Sequence, residues 1–127
     1  MCKEPTIGIS RALGIARAFW ELANDAVNDG TLPTAQATTM GKAATEGAAT
    51  VRGVIADFGH LFSPELTRAA QECVVDLETL AELAGLVVSY NLTNEDAPHL
   101  ARAMRHTAAQ TIRALMRTEN ALGAQTA

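Results

Sequence analysis

The sequence has few aromatic residues, few cysteines and no long apolar run. The longest apolar candidate, residues 80–90, contains Glu82 and ends at a polar turn, whereas a helix that spans a bilayer needs about 20 apolar residues. Cys2 is terminal and Cys73 lies in an apolar helical stripe, so we expect no disulfide. The first residues contain no apolar segment of secretory length. We therefore expect a soluble, cytoplasmic protein that is not inserted in a membrane.

Recognisable catalytic motifs are also missing. Ser10, Ser63 and Ser89 are the only serines, and none is surrounded by the glycine pattern of a nucleophile elbow. The chain has no phosphate-binding loop, no CxxC and no HExxH, so no nucleotide, redox or zinc chemistry is indicated. The sequence predicts a protein that is not an enzyme.

Two carboxylate–histidine pairs resemble part of a di-metal site. Asp57 and His60 are three residues apart, as are Asp96 and His99, and with Glu21 and Glu78 they imitate the ligands of di-iron helical bundles. His60 ends the second predicted helix and His99 begins the fourth, which places them at opposite ends of an antiparallel bundle. We therefore predict no metal and no cofactor.

Four amphipathic patterns account for almost the whole chain. Hydrophobic residues make up 48% and charged residues 19% of the 127 positions, which is near the average for globular proteins. Apolar residues recur at steps of three and four, and no strand pattern separates them. The sequence predicts an all-α single domain, an antiparallel up-down-up-down four-helix bundle, with helices at approximately 7–28, 34–62, 64–90 and 94–122 and a frayed tail at 124–127.

Several residues are predicted to begin or end these helices. Ser63 followed by Pro64 and Glu65 combines a side-chain cap, a fixed φ and an acid at the positive end of a helix dipole. The other predicted caps are polar residues at starts and glycines at ends, namely Thr6 or Ser10, Gly30, Thr34, Thr93 or Asn94, and Gly123.

The second helix is rich in glycine, with Gly41, Gly47, Gly53 and Gly59 spaced six apart. A step of six rotates the helix by about 240°, so these glycines point to different faces. Each interior glycine costs about 1 kcal/mol relative to alanine, which predicts a thin central helix approached closely on several sides. We expect its small half to pack against the bulky second half of the third helix, which contains Leu83 and Leu86. The alternative is a loop or broken helix over residues 35–50.

The outer surface of the second helix is a candidate interface. It is formed by threonine, alanine and glycine, including Thr38, Gly41 and Thr45, and its low charge resembles an interface more than a solvated face. This pattern favours a non-catalytic protein-interaction module, such as an adaptor, inhibitor or regulatory subunit, with self-association as a homodimer.

The fourth helix carries a row of basic residues, Arg102, Arg105, His106, Arg113 and Arg117. It is either a solvated face that pairs with the acids Glu72, Asp76, Glu78 and Glu82 of the third helix, or a docking surface for an anionic partner. Nucleic acid is the weaker choice of partner, because the net charge is −4 and aromatic residues make up only 4%. A further alternative is an apolar ligand held in a cavity near Trp20.

Overall fold

Helices account for nearly all of the chain that the structure describes. The computed structural model describes residues 3–30, 33–89 and 96–126. Within these ranges the helices are α1 (Lys3–Asp29), α2 (Thr34–Phe58), α3 (Pro64–Ser89) and α4 (Asp96–Thr126), and a 3-10 turn, Gly59–Leu61, follows α2. No strand occurs in the described residues. The predicted all-α four-helix fold is confirmed.

Each helix packs chiefly against two others. α1 packs on α2 and α4, and α3 packs on the same two helices. Between α1 and α2, Gly8 lies against Val54 whereas Ile15 lies against Gly47. Positions therefore rise along one helix as they fall along the other, which is the order that antiparallel neighbours produce. The short connections predicted this order.

The helix boundaries differ from the prediction at several places. α1 already includes Thr6 and Ser10, so neither residue caps it. α2 ends at Phe58 rather than residue 62, because the chain tightens into the 3-10 turn. α4 continues through Gly123 to Thr126, so the predicted glycine cap and frayed tail at 124–126 are wrong. Thr93 and Asn94 lie outside the described residues, as does Tyr90.

Two predicted helix signals are confirmed and one is wrong. Ser63 Oγ accepts a hydrogen bond of 3.1 Å from the Leu66 backbone N–H, which satisfies one of the free donors at the start of α3. Gly30 has φ 73° and donates its N–H to Ala26 O at 2.8 Å, so it ends α1 in the left-handed conformation that glycine tolerates. Thr34 is the first residue of α2, and Pro33 precedes it without a side-chain capping bond.

The core contains many alanines and few large residues. The main apolar face predicted on α3 is buried, including Leu66, Cys73, Leu77 and Leu80, and Leu83 beside it is partly buried. On α1, Phe19 is fully buried while Trp20 is only partly buried. The fully buried residues of α2 are no larger than valine, namely Ala37, Ala44, Gly47, Ala48, Val51 and Val54, while Met40 and Ile55 pack against the core partly buried. The helices therefore approach closely because small side chains separate them.

The glycines of α2 have different surroundings. A Cβ at Gly41 would lie 3.1 Å from Ala84 Cβ, and a Cβ at Gly47 would lie 3.2 Å from Ile15 Cδ1. Gly53 is exposed, and a Cβ added there would have no neighbour within 4 Å. Close approach is thus confirmed at Gly41 and Gly47 and wrong at Gly53. The predicted contact of small against bulky residues is also wrong near Gly41, because Ala84 lies opposite and Leu86 is 41% exposed.

The loop alternative for residues 35–50 is excluded, because the whole range is α-helical. The described residues include no helix with both the length and the apolar character needed to cross a bilayer.

We expect Gly41→Ala to lower the free energy of unfolding although alanine favours helix. Ala84 Cβ has no rotamer to change, so α2 and α3 must separate, and such overpacking costs about 1–3 kcal/mol. Gly14 on α1 has nothing within 4 Å of a built Cβ, so Gly14→Ala should raise stability by about 1 kcal/mol. Urea unfolding followed by circular dichroism measures both. Equal stabilisation of the two variants would contradict the tight contact.

Candidate functional site

The outer face of α2 is made largely of small side chains. Thr38, Thr45, Ala49, Gly53 and Ala56 are all exposed, and they recur at steps of three, four and seven along one side of the helix. Of the predicted interface residues, Thr38 and Thr45 are therefore on the surface. Gly41 is only partly exposed, since Ala84 covers it.

The threonines on this face use their hydroxyl donors within the helix. Thr38 Oγ1 donates to Thr34 O at 2.9 Å, and Thr45 Oγ1 donates to Gly41 O at 3.0 Å. Thr39 and Thr50 do the same with Ala35 O and Glu46 O. With the hydroxyl hydrogen occupied, a threonine can lose water contact at lower cost than a hydroxyl that has no partner. The face is thus less polar than its composition suggests.

Two grooves lie between α2 and α3 beside this face. The first is lined by Ala37, Thr38, Gly41, Lys42, Thr45 and Glu46 on α2 and by Ala81, Ala84 and Gly85 on α3. The second is lined mainly by apolar residues, namely Ile55, Ala56, Val74 and Val75, together with Arg52 and Gln71. An ion pair between Arg52 and Glu78 joins the same two helices.

One residue of the basic row on α4 is turned toward α1. Arg105 is partly buried and donates to Asn24 Oδ1 of α1 at 3.0 Å. Arg117 pairs with Glu72 of α3 at 3.3 Å, and Arg113 lines a groove with α3. Arg105 therefore lies apart from Arg102, His106, Arg113 and Arg117, which are all exposed.

The groove between α3 and α4 brings charges of both signs together. It is lined by Arg68, Arg113 and Arg117, by Glu72 and Asp76, and by Gln71, Val75 and Gln110. Among the described residues, Arg68 and Arg113 have no ion-pair partner within 4.0 Å. Glu78, one of the predicted acidic partners of this stripe, pairs with α2 instead.

Asp76, which lines this groove, has a raised pKa. Partial burial raises the pKa of Asp76 above its usual 3.8, and the nearby Glu72 adds to the rise, while Arg117 opposes it. A raised pKa means that the folded chain favours the neutral form. The charged form of Asp76 therefore slightly destabilises the fold at neutral pH.

Cys73 and Thr118 form the buried polar contact between α3 and α4. The Cys73 Sγ and Thr118 Oγ1 atoms are 3.4 Å apart, and Thr118 Oγ1 also donates to Ala114 O at 2.8 Å. Burial raises the pKa of the Cys73 thiol to about 11, so the neutral thiol, a poor nucleophile, is present at ordinary pH. This cysteine is a core residue.

The residues of the two carboxylate–histidine pairs lie at separate places. Asp57 is the last residue but one of α2, His60 is in the 3-10 turn, and Asp96 begins α4. In the described part of the chain, no three His, Cys, Asp or Glu side chains come together as metal ligands would. The grooves described above are lined by α2, α3 and α4, so Trp20 lines none of them.

Sequence reasoning did not identify Arg68, Val75 or Gly85 as surface residues of interest. Arg68 precedes Glu72 by one turn on the side of α3 that faces α4, so helical spacing could have added it to the basic groove. Gly85 follows Ala81 by one turn, and the same spacing could have placed it opposite Gly41. Val75 is 61% exposed, and it lines both the α3/α4 groove and the second α2/α3 groove.

No protein-family model matches this sequence, and comparison with curated proteins and with solved structures finds no match.

We expect Asp76→Asn to stabilise the fold at pH 7. The pKa of Asp76 is higher in the folded chain than its unfolded value of 3.8, so the folded chain binds this proton more tightly. The resulting stabilisation is fully present below the unfolded pKa and is lost as the pH rises through the folded pKa. An asparagine stays neutral, so its advantage should be present at pH 7 and absent below about pH 3.8. Glu82→Gln, which removes an exposed charge from the same helix, should change stability by less than about 0.5 kcal/mol. Thermal unfolding across pH measures both, and equal effects would contradict the argument.

Proposed function

We propose that this chain is a non-catalytic helical interaction module that self-associates through the outer face of α2 and the neighbouring grooves of α3. Its role would be that of an adaptor, inhibitor or regulatory subunit. A second copy is the partner we choose because the four exposed charges of α2, Lys42, Glu46, Arg52 and Asp57, alternate in sign and sum to zero. Such a surface can meet a copy of itself without a net repulsion.

Gly53 is the observation that best supports this proposal. A mid-helix glycine costs about 1 kcal/mol relative to alanine, and contacts within this chain do not explain it, because a Cβ there would touch nothing. Gly14 is equally open, but Arg11 and Arg17 flank it on the exposed side of α1. Gly53 has the small residues Ala49 and Ala56 one turn away on one side and the exposed Asp57 one turn away on the other. The small side chains of Ala49 and Ala56 permit close approach by another backbone.

The two grooves beside α2 give a partner room to interlock. Gly85 on the wall of the first groove is exposed and has no atom within 4 Å of a built Cβ. Val75, on the wall of the second groove, exposes an apolar side chain. Burying such apolar surface contributes about 25 cal/mol per Å². A partner helix laid along α2 would therefore gain contacts on both α2 and α3.

We expect Gly53→Leu to weaken self-association while leaving the fold intact. Leucine favours helix and meets no atom of its own chain, so the monomer should be as stable as wild type or more stable. At a close interface the added side chain must be accommodated at about 1–3 kcal/mol, which weakens association by roughly tenfold. Concentration-dependent light scattering and thermal melting measure the two effects.

Gly14→Leu is the matched control, since it gives the same change at an open glycine of α1. It should leave self-association unchanged. Thr45→Trp tests the same α2 face from the groove side and should also weaken association. A wild-type chain that stays monomeric at high protein concentration would refute the self-association proposal.

A second candidate function is anion binding in the groove between α3 and α4. The observation that favours it is the pair Arg68 and Arg113, which line this groove without an ion-pair partner among the described residues. Gln71 and Gln110 add amide donors. Arginine binds carboxylate and phosphate groups through paired N–H donors. Glu72 and Asp76 in the same groove disfavour a nucleic-acid backbone and favour a small or single anionic group.

We expect wild type to bind inorganic phosphate, a small anion, in this groove and Arg113→Glu to abolish that binding. Isothermal titration at about 20 mM and 150 mM salt would show binding that weakens with salt, because screening reduces interactions between exposed charges. Arg17→Glu on α1 removes an exposed arginine outside the groove and should leave binding unchanged. Equal losses in both variants would indicate attraction by net charge alone.

A further inference from the structure

Lys42 and Asp57 are placed almost symmetrically about the middle of α2. Lys42 lies seven residues before Ala49, and Asp57 lies eight residues after it. At 1.5 Å per residue these positions are about 10.5 Å and about 12 Å from Ala49 along the helix axis. Both side chains are exposed, and within the described residues neither has an ion-pair partner.

The two charges also lie on the same side of the helix. Fifteen residues at about 100° each leave them about 60° apart around the axis. Arg52 and Gly41 point toward α3, where they meet Glu78 and Ala84. Lys42 and Asp57 are rotated away from that side by 80° or more, as the same helical spacing shows. Lys42, which also lines the outer side of the first α2/α3 groove, and Asp57 therefore both lie on the outer face of α2.

Consider two antiparallel helices related by a two-fold axis perpendicular to the plane that contains them. The side of one helix that faces the axis then contacts the same side of its copy. If this axis passes beside Ala49, Lys42 of one copy lies within about one residue of the height of Asp57 of the other. The arrangement occurs twice in the dimer. Opposite charges thus meet at both ends of the contact.

The segment around Ala49 fits such an axis because Thr45, Ala49 and Gly53 are small. They follow one another at steps of four, and all three are exposed. The donor of Thr45 is used within the helix. Glu46 is also exposed, but it lies about 60° around the helix from Ala49 and therefore flanks the closest contact. Two copies can approach closely at Ala49, and the charges beside this contact then set register and orientation.

We propose that a second copy of the chain packs antiparallel on α2 about a two-fold axis beside Ala49, with Lys42 of each copy paired to Asp57 of the other. This inference rests on the proposed function, since it specifies the partner surface and the register of the same face. The pair provides specificity: parallel pairing or a shift by one turn would separate the two charges.

Charge exchange tests this register. Lys42→Glu and Asp57→Lys should each weaken the dimer about tenfold at low salt, because two attractive pairs become repulsive. The double variant restores both pairs with reversed signs, so its dissociation constant should return to within about threefold of wild type. Sedimentation equilibrium of the full chain at about 20 mM and 300 mM salt measures all four proteins.

The matched control combines Lys42→Glu with Asp25→Lys, which reverses an exposed acid of α1 instead. This variant has the same net charge as the double exchange but should stay as weak as Lys42→Glu alone. If Gly53→Leu weakens the dimer and the double exchange fails to restore it, the register is wrong although α2 is the interface. If wild type is monomeric, both the register and the proposed function are refuted. Equal recovery in the control would also overturn the pairing.

Discussion

The close approach of α2 to its neighbours is the contact on which the rest of the bundle depends. Gly41 lies against Ala84 of α3 and Gly47 lies against Ile15 of α1, so small residues set the spacing on both sides. A Cβ added at either position would lie closer to its neighbour than ordinary van der Waals contact allows. No fully buried residue of α2 is larger than valine, and the largest buried side chain, Phe19, comes from α1. Packing is tight because α2 is thin.

The same composition on the outside of α2 leads to the functional proposal. Small residues inside the bundle are explained by packing, but Gly53 on the outside is not. An exposed helix ordinarily carries long charged side chains that keep other proteins away, and α2 has only four exposed charged residues, of zero net charge. The proposed antiparallel pair uses Ala49 and its neighbours for close contact and the charges at the rim for register. Fold stability and association would then draw on opposite faces of one helix.

The acids of α3 are shared between the two helices beside it. Glu78 pairs with Arg52 of α2, and Glu72 pairs with Arg117 of α4, so each acid holds a different interface. This division leaves Arg113 unpaired among the described residues and Asp76 partly buried near Glu72. The α3/α4 groove is therefore lined by one more basic than acidic side chain, which supports the second candidate function. It is also separated from the α2 face by the ridge of α3 that carries Val75.

The sequence by itself determined the helical class, the number of helices and the apolar face of α3, because a period of 3.6 residues is a local property of the chain. It also identified Ser63 and Gly30 as helix ends, since capping depends on neighbouring residues. Thr38 and Thr45 were correctly expected at the surface. Only the tertiary structure decided which glycines of α2 are covered, because that depends on whether Ala84 or Ile15 lies opposite. It also separated Arg105 from Arg113: a difference of 80° around α4 turns one toward α1 and the other toward α3, and the position of those helices is not encoded in the local pattern.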